Sequence, residues 1–378
     1  MATDAITHVY QRAEREHVPL TVVVEITHAC NVDCEHCYLD LVPDSKIDAL
    51  KTEEWKRVFR ELKAAGCLFL TITGGEALVR RDFFELASYA RELGFALTIF
   101  TNGTLIDEKN ADRIAALRPF SVEISLLGGI AATHDAIARR RGAFDKTIAG
   151  ARRLRERGVP VLLKCVLMQK NVAERDAIRA IAEGIDCNMY FDIEVTPKDD
   201  GSTGPKALVA EDAALVEAMR EMVADALTKY GAPNEISHED RLVSTPCGAG
   251  RRTCQIGPSG DLFPCTQWTT PIGNVRKTSF GELWNANETL AKVRATRVKD
   301  FPVCSECEIL DVCGPCMALS LLELGAIGPS PTKCAGAEVR AKAHGLPGRS
   351  AWFLKLEAEA RASGVVDRAQ VRRLPLVG

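Results

Sequence analysis

The sequence predicts an α/β protein: a partial (β/α)6 TIM-like barrel followed by a small cysteine-rich domain and a C-terminal helical tail. Between residues 21 and 197 short apolar runs alternate with amphipathic segments, as expected when each buried parallel strand is covered by a helix. After residue 235 the pattern changes, and eight of the fourteen cysteines fall between 247 and 334.

The candidate strands are VVVEIT (22–27), CLFLTIT (67–73), FALTIF (95–100), FSVEISLL (120–127), VPVLLKCVL (159–167) and MYFDIEVT (189–196). In the first intervening segment Trp55, Val58, Phe59 and Leu62 make one apolar stripe and Gly66 closes the helix. The next opens with Asp82 and Glu85 in capping-box spacing and ends at Gly94. In such barrels chemistry sits at the C-terminal strand ends, so loops after Thr27, Thr73, Phe100 and Leu126 are expected to face one site. KDDGSTGPK after Pro197 reads as a polar linker, and a helix is expected from Glu211 to Tyr230. The expected division is an N-terminal extension (1–19), the barrel (20–235), the cysteine-rich domain (236–340) and the tail (341–378).

A formal charge of −3 and a pI near 6.2 give no basic footprint for nucleic acid. No apolar run approaches the roughly 20 residues of a membrane helix. The N-terminus mixes charges where a signal peptide would be apolar, which places the chain in a reducing cytoplasm. There, fourteen cysteines point to metal or cluster ligation rather than disulfides.

Cys30, Cys34 and Cys37 occupy one loop directly after the first strand. Three thiolates on a cube of four irons leave one iron open to another ligand. A zinc site completed by His28 or His36 is the competing reading.

CxxxCxxC after the first strand, with Gly74-Gly75-Glu76 after the second, resembles the radical S-adenosylmethionine (SAM) superfamily. The resemblance implies that SAM chelates the open iron, and that its reductive cleavage gives a 5'-deoxyadenosyl radical that abstracts hydrogen from substrate. It implies that Gly74, Gly75 and Glu76 bind the amino end of SAM, that His36 lies near adenine, and that Thr101, Asn102 and Ser125 help hold the cofactor. Many relatives carry an aspartate just after the Ser125 position where this chain has Leu127, so no acid is expected there. Arg139, Arg140 and Arg141 are read as a solvated basic run.

The later cysteines follow the order of the superfamily's SPASM extension, with four residues between Gly260 and Cys265 and a CxxC-x5-CxxC run from Cys304 to Cys316. The resemblance assigns Cys247, Cys254, Cys265 and Cys316 to one auxiliary 4Fe-4S cluster. Cys304, Cys307, Cys313 and Cys334 are assigned to a second, making three clusters in all. Two zinc ribbons are the alternative. Cys67 and Cys165 lie in strand runs and read as buried apolar residues, while Cys187 stays unassigned.

Members with this extension commonly modify ribosomally synthesised peptides by crosslinking, epimerisation or oxidation, so a peptide substrate is expected. Thr266 disfavours the sulfatase-activating subgroup, which has an aspartate there. With no winged-helix module before residue 20, a separate leader-binding protein or the tail would have to serve. A reductant such as ferredoxin or flavodoxin is implied. The alternatives are tetrapyrrole or sugar processing on the same architecture, or a non-enzymatic iron-sulfur or zinc protein.

Overall fold

The computed structural model describes residues 5–231 and 236–362. Six strands appear in the expected order: β1 (Thr21–Glu25), β2 (Phe69–Thr73), β3 (Ala96–Thr101), β4 (Ser121–Ser125), β5 (Val161–Val166) and β6 (Asn188–Asp192). Each pairs in parallel with the next. The sixth is shorter than its apolar run, because Ile193–Thr196 leaves the ladder and continues as loop.

Alternation along the strands separates two faces. Val22, Leu70 and Leu97 stand level on one face, as do Val24, Ile72, Ile99 and Val122, and all are fully buried under the helices. The other face carries Thr73, Phe100, Glu123, Ser125, Lys164, Tyr190 and Asp192, so it is the polar one.

The helix Thr52–Ala64 buries the expected Trp55, Val58, Phe59 and Leu62. Removing side chains of this size from water is worth roughly 1.5–3 kcal/mol each. Gly66 follows at φ +94°, where a Cβ would meet Val18 at 2.7 Å, so only glycine ends the helix here. The capping box expected at Asp82 does not form. Asp82 does precede the helix Phe83–Glu92, but its carboxylate makes no cap bond. It is taken by Arg80 at 2.7 Å and Thr52 at 2.6 Å, while Glu85 reaches Lys56 at 2.6 Å. Thr52 and Lys56, both distant in sequence, together with the neighbouring Arg80 outcompete the local cap.

Three further strands were not legible as strands: β7 (Thr253–Ile256), β8 (Asp261–Phe263) and β9 (Gly273–Asn274). β7 runs parallel beside β1, and β8 and β9 fold back antiparallel, so one nine-stranded sheet has the order β6-β5-β4-β3-β2-β1-β7-β8-β9. The cysteine-rich part thus shares a sheet and a hydrophobic core with the barrel, through Cys254, Ile256, Leu262, Phe280 and Trp284. The division expected at 235/236 touches residues 232–235, which lie outside the described residues.

The helix expected over Glu211–Tyr230 spans Asp212–Tyr230, and the helix Pro331–Ala343 packs against it, with Lys342 at 2.9 Å from Asp212. The segment read as a linker is tied down, since the Asp199 amide donates to the Tyr38 carbonyl at 2.9 Å. Before β1, the helix Ala5–Glu16 places Glu14 between Arg251 (3.5 Å) and Arg252 (3.2 Å). Of the tail, the helix Ala351–Ala362 is described and residues 363–378 lie outside the described residues. No helix among the described residues is long and apolar enough to cross a membrane.

Candidate active site

The loops after the first four strands meet around one cavity of ≈ 580 Å³ at the C-terminal strand ends, within the range of small-molecule and cofactor sites. Cys30, Cys34 and Cys37 line it together. Their loop is pinned by its backbone: Asp33 N donates to Ala138 O at 3.2 Å, Glu35 N to Ile137 O at 2.9 Å, and Cys37 N to Cys34 O at 3.1 Å. Burial, then the neighbouring thiols Cys37 and Cys30, pushes Cys34 up to about 12, and burial lifts Cys37 to about 11. Three half-buried thiols that disfavour one another's ionisation are favoured as thiolates by a bound cation.

The turn after β2 explains its two glycines by packing. A Cβ on Gly74 would lie 2.2 Å from Thr27 O, and one on Gly75 would lie 2.5 Å from Ala29 O. That closeness lets Gly75 N and Glu76 N donate to Thr27 O and Ala29 O, both at 2.9 Å. Gly74 and Gly75 therefore brace the start of the cysteine loop, and both line the cavity.

Glu76 does not reach the cavity. Its carboxylate is buried and accepts from Thr101 Oγ1 at 2.8 and 2.9 Å, Asn102 N at 2.7 Å and Leu78 N at 3.1 Å. Burial raises its pKa against these bonds. The reading in which Glu76 faces an ammonium meets a carboxylate already engaged inside the protein. Its donors hold the turn after β3 in place, so Thr101 and Asn102 line the cavity. Asn102 Nδ2 donates to Asn31 Oδ1 at 2.9 Å, beside Cys30.

Ser125 and His36 also line the cavity. His36 Nδ1 is buried with no partner, and burial lowers the ring to about 4, so it is neutral and short of one hydrogen bond. His28, the other candidate zinc ligand, turns to Glu25 at 3.4 Å instead. Leu127 is buried, its amide donating to His134 Nδ1 at 3.1 Å. Arg139 pairs with Asp33 at 3.3 Å on the surface, and Arg140 and Arg141 are exposed.

Charged residues on the polar face of β4–β6, in the loop after β6 and on the helix Pro331–Ala343 form the floor, and the sequence reading does not include them. Lys164 sits 2.7 Å from Glu123 with its Nζ 4.2 Å from the Phe100 ring, and Lys333 holds Glu194 at 2.8 Å. Burial raises Asp192 and Tyr190. The signal available was the period-two position of Glu123, Ser125, Lys164, Tyr190 and Asp192 within recognised strands.

The later thiols fall into two groups. Cys304, Cys307, Cys313 and Cys334 line one apolar pocket. Burial lifts Cys304 to about 12, with Cys313 and Cys307 adding to it. Cys265, also pushed to about 12 by burial, feels Cys316 and Cys247, and Cys316 in turn feels Cys247. Cys254 joins neither group; its neighbouring thiol is Cys67. Cys165 is buried in β5 and Cys67 is buried just before β2, outside the strand, and Cys187 lies against the core with its Sγ 3.5 Å from Ala182 O. All fourteen cysteines are free thiols. Among the described residues no three His, Cys, Asp or Glu side chains converge on one point that could hold a single metal ion.

Three thiols, a brace of close-packed glycines, an unpartnered buried imidazole nitrogen and a cavity of this size fit a thiolate-bound cluster with an organic cofactor beside it.

Comparison with known proteins bears on the same regions. Residues 24–181 match the Radical SAM superfamily model, and residues 247–308 match SPASM, an iron-sulfur cluster-binding domain. The chain is 26% identical to an AdoMet-dependent heme synthase of Methanosarcina barkeri, over 82% of this chain and 94% of that protein. It is 28% identical to a PqqA peptide cyclase of Rhodopseudomonas palustris, over 85% and 88%. Among solved structures, Streptococcus suis SuiB bound to its precursor peptide SuiA superposes with a TM-score of 0.66 at 20% identity, over 86% of this chain and 78% of that one, a likeness of fold.

Proposed function

For a chain that belongs to the radical SAM superfamily and carries its SPASM cluster-binding extension, we propose that the substrate of this enzyme is a peptide. The observation that carries this is the charged floor of the cavity. That floor, Glu123–Lys164 and Glu194–Lys333, offers polar partners to a peptide chain. The peptide-cyclising relative supports the same reading.

Bound at Cys30, Cys34 and Cys37, a 4Fe-4S cluster with SAM would supply a one-electron reductive cleavage that yields a hydrogen-abstracting species. The chain's own residues bind, orient and shield. The Gly74-Gly75 turn fixes the cysteine loop, and buried Glu76 fixes Thr101 and Asn102 at the cavity wall. Neutral His36 keeps a ring nitrogen free for a ligand atom. Ser125 and Asn102 line the cavity as polar groups that can orient the cofactor. Lys164, held by Glu123 over the Phe100 ring, orients the substrate.

Tetrapyrrole processing takes its support from the heme synthase relative. The placement in a reducing cytoplasm rests on the fourteen cysteines of the sequence, read as cluster ligands and core thiols. A ferredoxin or flavodoxin would deliver the electron, and a separate protein would present the peptide leader.

The deciding experiment incubates the anaerobically reconstituted protein with SAM, dithionite and the short peptides encoded beside its gene, and follows peptide mass. Loss of two hydrogens from one peptide is the expected result. Unchanged peptides together with a changed tetrapyrrole would reverse the assignment.

A further inference from the structure

The four thiols matched to the first auxiliary cluster do not stand together. β7 pairs with β1 so that Cys254 is level with Val22, and Ile256 with Val24. Residues paired in a parallel ladder share a face, and that face is the apolar one, under the helices. Cys254 is fully buried there, in the same core as Val22, Leu70 and Trp55. The thiol beside it, Cys67, lies at the entry to β2 and belongs to the same core.

Cys247, Cys265 and Cys316 form a separate group, each within electrostatic reach of the others. Cys316 and the two residues after Cys265, Thr266 and Gln267, line the cavity on the polar side of the sheet. Bringing Cys254 to them would take a one-residue slip of β7. Such a slip reverses every side chain of the strand, turning Thr253 and Gln255 under the helices and Ile256 out of the core. The ladder to β1 and the β7–β8 hairpin both oppose it.

We infer that the first auxiliary site is built on three thiols, Cys247, Cys265 and Cys316, and that Cys254 is a core side chain. A four-iron cluster held there keeps one iron for a donor other than a cysteine of this group. The inference rests on the reading that this region binds clusters.

The test measures iron and acid-labile sulfide per chain, with the spectrum of the reduced clusters by electron paramagnetic resonance, in full-length variants. Cys254→Ala and Cys254→Val are expected to keep the parent's iron and its spectrum. Cys247→Ala and Cys265→Ala are expected to lose about a third of the iron, one cluster of three. If Cys254→Ala unfolds, Cys254→Val, which refills the core volume and cannot ligate, decides. Loss of about a third of the iron in a Cys254 variant whose circular dichroism and melting match the parent overturns the inference. Full iron in the Cys247 and Cys265 variants, or none in the parent, overturns both the inference and the cluster reading beneath it.

Discussion

The carboxylate of Glu76 accepts the hydroxyl of Thr101 at 2.8 and 2.9 Å, so one buried anion ties the turn after β2 to the turn after β3. Glu76→Gln keeps the shape but places an amide where donors already point. It is expected to lower unfolding free energy by about 1–3 kcal/mol, read from urea titrations. Thr101→Val is expected to do the same and to weaken SAM binding, read by calorimetry on the reconstituted protein. Unchanged stability in both would remove Glu76 from this role.

Gly75→Ala is expected to disturb the cysteine loop directly, because its Cβ would lie 2.5 Å from Ala29 O, a backbone atom that cannot swing away. Overpacking of this kind costs about 1–3 kcal/mol. Gly184→Ala is the matched control, since a Cβ there meets nothing within 4 Å. The pair is compared by melting temperature and by iron content; equal behaviour would contradict the packing account.

Cys34→Ala is expected to abolish formation of 5'-deoxyadenosine from SAM while the auxiliary clusters stay in place. Chromatography of the reaction with dithionite reads the first and iron content the second. Persistent cleavage in this variant sinks the radical SAM assignment for the Cys30 loop.

His134 gives a pH dependence with a definite sign. Burial lowers its ring from 6.5 to about 4, and its Nδ1 accepts the Leu127 amide, which needs the neutral form. A base whose folded pKa is depressed stabilises the fold above its unfolded pKa and loses that contribution as pH falls from 6.5 toward 4. The loss is about 3 kcal/mol. Urea titrations at about pH 7 and about pH 4 are expected to show the parent losing that much more stability than His134→Gln. Parallel losses in the two proteins would contradict it.

Lys164→Met keeps the stem over Phe100 and removes the charge beside Glu123. SAM cleavage without substrate is expected to stay within about twofold of the parent, while kcat/KM for the modified substrate falls by about tenfold or more. A fall in both by the same factor would place Lys164 in cofactor binding instead.

The strands β1–β6 were readable because each carries five or six residues with a continuous or alternating apolar pattern. β7, β8 and β9 have four, three and two residues, too few for any period, and they are strands because β1 offers an edge. Cysteine spacing located the thiols but could not say which face each one takes. Cys254 and Cys247 look alike in a pattern, and only the β1–β7 register separates them. Glu76 reads as a ligand from its motif, yet three donors from its own chain reach it. Asp82 looks like a cap, and Arg80 and Thr52 claim it. In each case a partner distant in sequence overrides the local signal.

The pairing of β7 with β1 also bears on what happens when the cysteine-rich part is cut away or fails to form. β1 would then present a bare row of amides and carbonyls beside Val22 and Val24, an open template for another chain.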